Sequence, residues 1–220
     1  MARTDVDAIV RELLDRHGRT FAEELDIDVP ADTADGMFGL LVFALLASAR
    51  IRTQTAMDAY RALMKQGWTT AAAMADATWE ERARVLNRSG YARYDESTSR
   101  ILEDACRYLL ETYDGDIRQL RDAADRSPDR ERTLLQQIKG IGPVGADIFL
   151  REAQAAWDEL VPYVDERAQQ AARELGLPGD PYRLAALVER HDVPRLVAAL
   201  VRTRLERDAD EVREAASHKS

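Results

Sequence analysis

The stretch LLQQIKGIGPVGADIFL, Leu134 to Leu150, decides how this chain is read. An apolar-periodic run ends near Ile138, glycines flank Ile141, and Pro143 opens the next run. The pattern predicts helix, tight turn, helix, because Gly140 and Gly142 supply backbone freedom that other residues reach only at a cost. Ile141 is expected to plug into the core and pin the turn. The N–H groups from Gly142 to Gly145 begin a new helix, where amide donors lack intrahelical partners and the dipole favours an anion. A phosphate suits such a turn. Two helices meeting at a glycine turn are also ordinary structural furniture, so the turn alone leaves both readings open.

Outward from the hairpin, nearly every segment has a period close to 3.6. Val6, Ile9, Val10, Leu13 and Leu14 line one face of a first helix, which DIDVPADTADG interrupts. Met37 to Ala49 is apolar on almost all sides, as a helix through the middle of a core would be. Thr53 to Lys65 forms an amphipathic helix, and Thr78 with Glu81 makes a capping-box pattern before the next, ended at Gly90. A long helix is expected from Asp95 to Tyr113, with Ile101, Leu102, Ala105, Leu109 and Leu110 inward. Ser127-Pro128 opens a helix that runs to about Ile138, and another starts at Pro143. Further helices are read over Val164 to Glu174, after Asp180-Pro181 and after Asp192-Val193-Pro194. No alternating strand pattern stands out. The expected fold class is all-α.

Composition narrows the function. The 220 residues carry a net charge of -9, which argues against a sequence-independent nucleic-acid binder with a generally basic face, although local patches matter more than the total. The 31 basic residues include only three lysines, Lys65, Lys139 and Lys219, so the positive charge is almost entirely arginine, which suits bidentate phosphate contacts. Cys106 is the lone cysteine, which excludes a four-cysteine iron–sulfur cluster within the chain, and it reads as an inert core thiol. His17, His191 and His218 are far apart in sequence and show no zinc spacing. The start MARTDVDAIVRELL lacks the apolar core of a signal peptide, and MFGLLVFALLASA is too short to span a bilayer. A cytoplasmic protein with no membrane partner is expected.

Several segments together resemble one family. IKGIGPVGADIFL matches the LPGVGxKTAxxhL hairpin of the helix-hairpin-helix superfamily of DNA base-excision glycosylases, the endonuclease III-like proteins. YVDERAQQAARELGLP matches that family's VDTHVxRVxxRLGL, FGLLVFALLASARIRTQTA its first core helix and DNA-facing loop, and LNRSGYARYDESTSRILEDACRYLLETYDG its Gly-aromatic pair leading into a long helix. The resemblance runs from about Met37 to Pro178. It implies an all-α, two-lobed endonuclease III-like fold. One lobe would be formed by 37–138, with the hairpin at 134–150, and the other by 1–36 with 151–210. Residues 211–220 are expected to be a disordered tail.

The resemblance also implies a site. Double-stranded DNA carrying a damaged or mismatched base would be the partner, and the target nucleotide would be flipped for hydrolysis of its N-glycosidic bond. The family's catalytic aspartate falls on Asp165. DNA contacts fall on Gly140, Gly142, Pro143, Val144 and Gly145 of the hairpin, on Lys139, and on Arg50 and Arg52 of the loop after the core helix. A monovalent cation, sodium or potassium, would be held by the backbone carbonyls of Gln136, Ile138 and Ile141.

The departures matter as much. The lysine of strand-cleaving members is Val144 here, so no lyase step is expected. Family positions beside the aspartate hold Glu166, Arg167 and Gln170 instead of threonine, histidine and arginine. The cluster cysteines after LGL are missing, which implies no iron–sulfur cluster. From Thr133 to Pro178 there are four basic residues (Lys139, Arg151, Arg167, Arg173) against seven acidic ones, so any basic footprint must come from Arg50 and Arg52, the arginines at 82, 84, 88 and 93, or Arg202 and Arg204. Three readings follow: a monofunctional glycosylase, a catalytically silent DNA-binding member, or a helical protein-interaction module of the same fold. The lesion and the oligomeric state are not legible.

Overall fold

The computed structural model describes residues 3–218, and among them it is all-helical, with no strand. The chain divides into two compact units, one made of Met1–Glu24 with Leu160–Ser220 and the other of Leu25–Glu159.

The continuous unit, 25–159, is built around α3 (Ala34–Ala47). Thr33 caps it by accepting from the Gly36 N–H at 3.1 Å, and every residue from Met37 to Leu46 is buried. A helix apolar all round needs neighbours on all sides, and α4 (Thr53–Met64) and α10 (Pro143–Ala153) supply two of them. Gly39 lets α4 come close: a Cβ there would lie 2.7 Å from the Tyr60 hydroxyl. The short helix α5 (Ala71–Asp76) and then α6 (Trp79–Leu86) follow, the latter with both halves of the Thr78–Glu81 capping box formed. Gly90 is not a simple helix stop: it has φ 89° within a wide turn, Asn87–Tyr91, that aims the Tyr91 hydroxyl at the Leu46 carbonyl, 3.0 Å away.

The long helix is α7 (Asp95–Tyr113), with the expected ends. Leu102, Ala105 and Leu109 are buried, whereas Leu110 is 36% exposed, on the edge of the stripe rather than inside it. Burial pushes the Cys106 thiol up to about 12, in keeping with an inert core residue. Arg82 is fully buried and donates to the carbonyls of Met74 and Ala77 and to Glu103 Oε2 at 2.7 Å, so it ties α5, α6 and α7 together and belongs to no basic surface. The helices α8 (Arg118–Ala123), α9 (Pro128–Leu135) and α10 complete this unit.

The split unit contains α1 (Arg3–His17), α2 (Phe21–Glu24), α11 (Glu166–Glu174), α12 (Pro181–Ala185), α13 (Val193–Glu206) and α14 (Ala209–His218). Its middle is α13, buried from Leu196 to Val201, against which α1 and α11 pack. The segment 211–218, expected to be disordered, is helical: Val212 and Ala216 are buried, and α14 packs on α1. Two apolar residues four apart suffice when a neighbouring helix receives them. Lys219 and Ser220 lie outside the described residues.

The unit boundaries differ from the expected 36/37 and 150/151. Leu25, Ile27 and Val29 are buried in the continuous unit without a helix to hold them. At the other end Trp157 is buried and donates to Asp32 Oδ1 at 3.2 Å, which keeps the segment after α10 in the same unit. No helix among the described residues is long and apolar enough to cross a membrane.

Candidate nucleic-acid interface

The hairpin joins α9 to α10 within the continuous unit. Gly140 has φ 88°, and a Cβ there would meet Ile101 Cγ2 at 2.3 Å, so both backbone conformation and space demand glycine. Gly142 differs from expectation: its φ is −89°, open to any residue, and nothing lies within 4 Å of where a Cβ would stand. What Gly142 supplies is access. Ile141 is buried between the two, as expected, and its N–H donates to the Ile138 carbonyl at 3.0 Å.

Gly142 is the N-cap of α10 and provides no side-chain cap, and the first intrahelical bond is made by Ala146 N–H to the Gly142 carbonyl. Pro143 has no N–H, so the donors at this start are those of Gly142, Val144 and Gly145. Gly142, Pro143 and Val144 are exposed, Val144 by 45%, while Gly145 is buried. A Cβ at Gly145 would sit 3.5 Å from Ser48 Cβ, so the start of α10 abuts the end of α3 and the loop that carries Arg50 and Arg52. Arg50, Arg52 and Lys139 are exposed, and their side chains have no hydrogen-bond or ion-pair partner among the described residues.

The acidic excess counted from the sequence is largely neutralised. Asp147 accepts from Arg132 at 3.1 Å, Glu159 from Arg121 at 2.7 Å, and Glu174 pairs with Arg204. Arg151 and Glu152 are buried and present no charge to solvent. Arg202 pairs with Glu24 and stacks 4.0 Å over the Phe21 ring, which removes it, with Arg204, from the supply of free cations.

Asp165 lies in the split unit as the N-cap of α11, with its Oδ1 accepting from the Ala168 N–H at 2.9 Å and the residue 9% exposed. The Arg167 side chain is exposed with no partner among the described residues, and Arg173 donates to Gln169 Oε1 at 3.2 Å. The three carbonyls of Gln136, Ile138 and Ile141 belong to the single turn between α9 and α10. Uncharged oxygens of this kind suit a hard cation, and the Ile138 carbonyl already accepts one N–H.

A second polar grouping has no signature in the sequence. At the end of α1, His17 is buried with Nε2 2.8 Å from Asp208 Oδ2. Its partner lies 191 positions away, too far for any spacing rule to reveal.

No known family profile matches the chain, and no curated protein is similar to it. Among solved structures, a trapped endonuclease III–DNA covalent intermediate in an estranged-adenine complex is similar, at 17% identity and TM-score 0.47, over 74% of this chain and 71% of that one. A non-covalent endonuclease III–DNA complex is similar at 17% identity and TM-score 0.46, over the same shares.

Proposed function

We propose that this chain binds duplex DNA through the α9–α10 hairpin and acts as a monofunctional DNA glycosylase, hydrolysing the N-glycosidic bond of a damaged or mismatched base. The observation that carries the reading is the uncapped, open start of α10, whose donors stand beside the loop bearing Arg50 and Arg52. Amide donors at a helix start bind a phosphate oxygen, and the partnerless cations add the electrostatic share of the affinity. A monovalent cation on the Gln136, Ile138 and Ile141 carbonyls would add positive charge to the same turn.

The chemistry is assigned to Asp165 on the family resemblance. A carboxylate there would stabilise the cationic sugar that develops as the base leaves, and would activate the attacking water. Val144 offers no nucleophile at the position of the lyase lysine, so hydrolysis without strand cleavage follows. Asp165→Asn isolates the charge, because Asn and Asp cap helices about equally well. Base release from a panel of damaged duplexes should vanish in this variant while duplex binding, read by fluorescence anisotropy, persists. Gly142→Asp should weaken binding by roughly tenfold at low salt, by setting a carboxylate against the phosphate.

A second reading has its own support. The Asp165 carboxylate is already engaged as a cap and nearly buried, which suits a catalytically silent DNA-binding protein. That reading expects the same salt-sensitive, Gly142-dependent binding with no base released from any duplex. Absence of duplex binding at low salt would sink both and favour a protein-interaction role.

A further inference from the structure

The C-terminal end of α1 and the junction of α13 with α14 meet around a cavity of about 580 Å³ in the split unit. Arg207, between the helices, has φ 61°, a chain reversal that brings Glu206 and Asp208 onto the same cavity as His17. One ligand atom from each of these three side chains lies within 4.8 Å of the others. An ion-pair network accounts for part of the arrangement. Arg16 Nη1 lies 3.3 Å from Asp208 Oδ2 and 3.0 Å from Glu211 Oε2, and Arg16 Nε lies 3.3 Å from Glu12 Oε1. The network leaves two groups over. Asp208 is 8% exposed, and its Oδ1 is enclosed with no hydrogen-bond partner among the described residues. Glu206 is exposed and has no hydrogen-bond or ion-pair partner among the described residues. A buried carboxylate oxygen left unsatisfied is costly, and a cation held between Asp208, Glu206 and His17 would relieve it.

We infer that His17, Glu206 and Asp208 form a site for one divalent transition-metal ion. One imidazole nitrogen with two carboxylates is a donor set for zinc, cobalt or nickel rather than for calcium or magnesium, which take oxygen alone. Two carboxylates balance the charge of the ion. Three protein ligands leave a coordination position open to the cavity, as in metal sites that bind water or a small ligand. Arg16, Arg19 and Arg202 also line the cavity. Arg202 is held by Glu24 and Arg19 donates to the Glu23 carbonyl, so Arg16 is the cation that competes for Asp208, and Glu12 and Glu211 retain it when Asp208 turns to the metal. The bound ion would link α1 to the α13–α14 junction.

The test uses the full chain, freed of metal with a chelator and titrated with Co²⁺ while visible absorption is followed. One equivalent should bind with d–d bands that Zn²⁺ abolishes by competition. Glu206→Gln is the decisive variant, since an exposed, unpartnered side chain can be replaced without disturbing the fold, as a circular dichroism spectrum would verify. It should weaken Co²⁺ binding by at least about tenfold, and His17→Gln should weaken it further. His191→Ala and His218→Ala should leave binding unchanged. The inference is overturned if no saturable binding occurs, if Glu206→Gln binds as the parent does, or if the loss follows His191 or His218 instead.

Discussion

Gly140 and Gly142 look alike in the sequence and differ in what they do. Gly140 combines a left-handed backbone with a Cβ position already filled by Ile101, so Gly140→Ala should destabilise the protein by about 1–3 kcal/mol in urea unfolding. Gly142 has neither constraint, and Gly142→Ala should cost far less. Glu131, on α9, offers a different test. Both its carboxylate oxygens are enclosed, and the group that faces them is the Glu159 carboxylate, with which a protonated Glu131 shares a hydrogen bond. That burial, with repulsion from the Glu159 carboxylate and only partial relief from Arg121, pushes the Glu131 carboxyl up to about 8 from its ordinary 4.5. Between these pH values the folded chain keeps a proton that the unfolded chain has lost. Stability is therefore fully expressed below about 4.5, falls as pH rises towards 8, and levels off above it. Glu131→Gln should remove that part of the slope and raise the melting temperature at neutral pH. An unchanged stability–pH profile would show that Glu131 is ionised in the fold.

Elements with a long apolar stripe, a capping box or a proline at the helix start are legible in the sequence, and most short ones are not. The Thr78–Glu81 box and the full span of α7 could be read from residue types alone, because both depend on contacts within a few positions of the chain. Thr78→Ala should cost about 1 kcal/mol, measured by thermal unfolding. Helices α2, α5 and α8 leave no signal in the sequence, since four to six residues are too few to show a period and none starts with an Asp-Pro or Ser-Pro pair. Helix α14 is hidden for a different reason: Val212 and Ala216 are a weak stripe until α1 provides a surface for them. Val212→Asp should therefore detach α14, seen as lost helicity without global unfolding.

For the molecule as a whole, a net charge of -9 requires any affinity for DNA to be local. Binding should fall steeply with salt, and replacing Arg50, Arg52 or Lys139 by Ala should each lower the slope of log affinity against log salt by about 1, equally across sequences. A slope untouched by all three would remove the hairpin and its neighbouring loop from the interface. The sequence by itself determined the helical class, the core helix α3, the hairpin and the core position of Cys106, because periodicity, capping and glycine placement act over a few neighbouring residues. It also carried Asp165 as a helix-starting acid, which is where it stands. Only the tertiary structure decided which charges are free. Arg82 belongs in the core, Asp147 and Glu159 are neutralised by arginines from other helices, and Arg50 and Arg52 are left to solvent. The same holds for His17, whose meeting with Glu206 and Asp208 depends on how α1 packs beside α13 and α14. Charge pairing and ligand clustering are set by distances in space between residues far apart in the chain, and no local pattern encodes them.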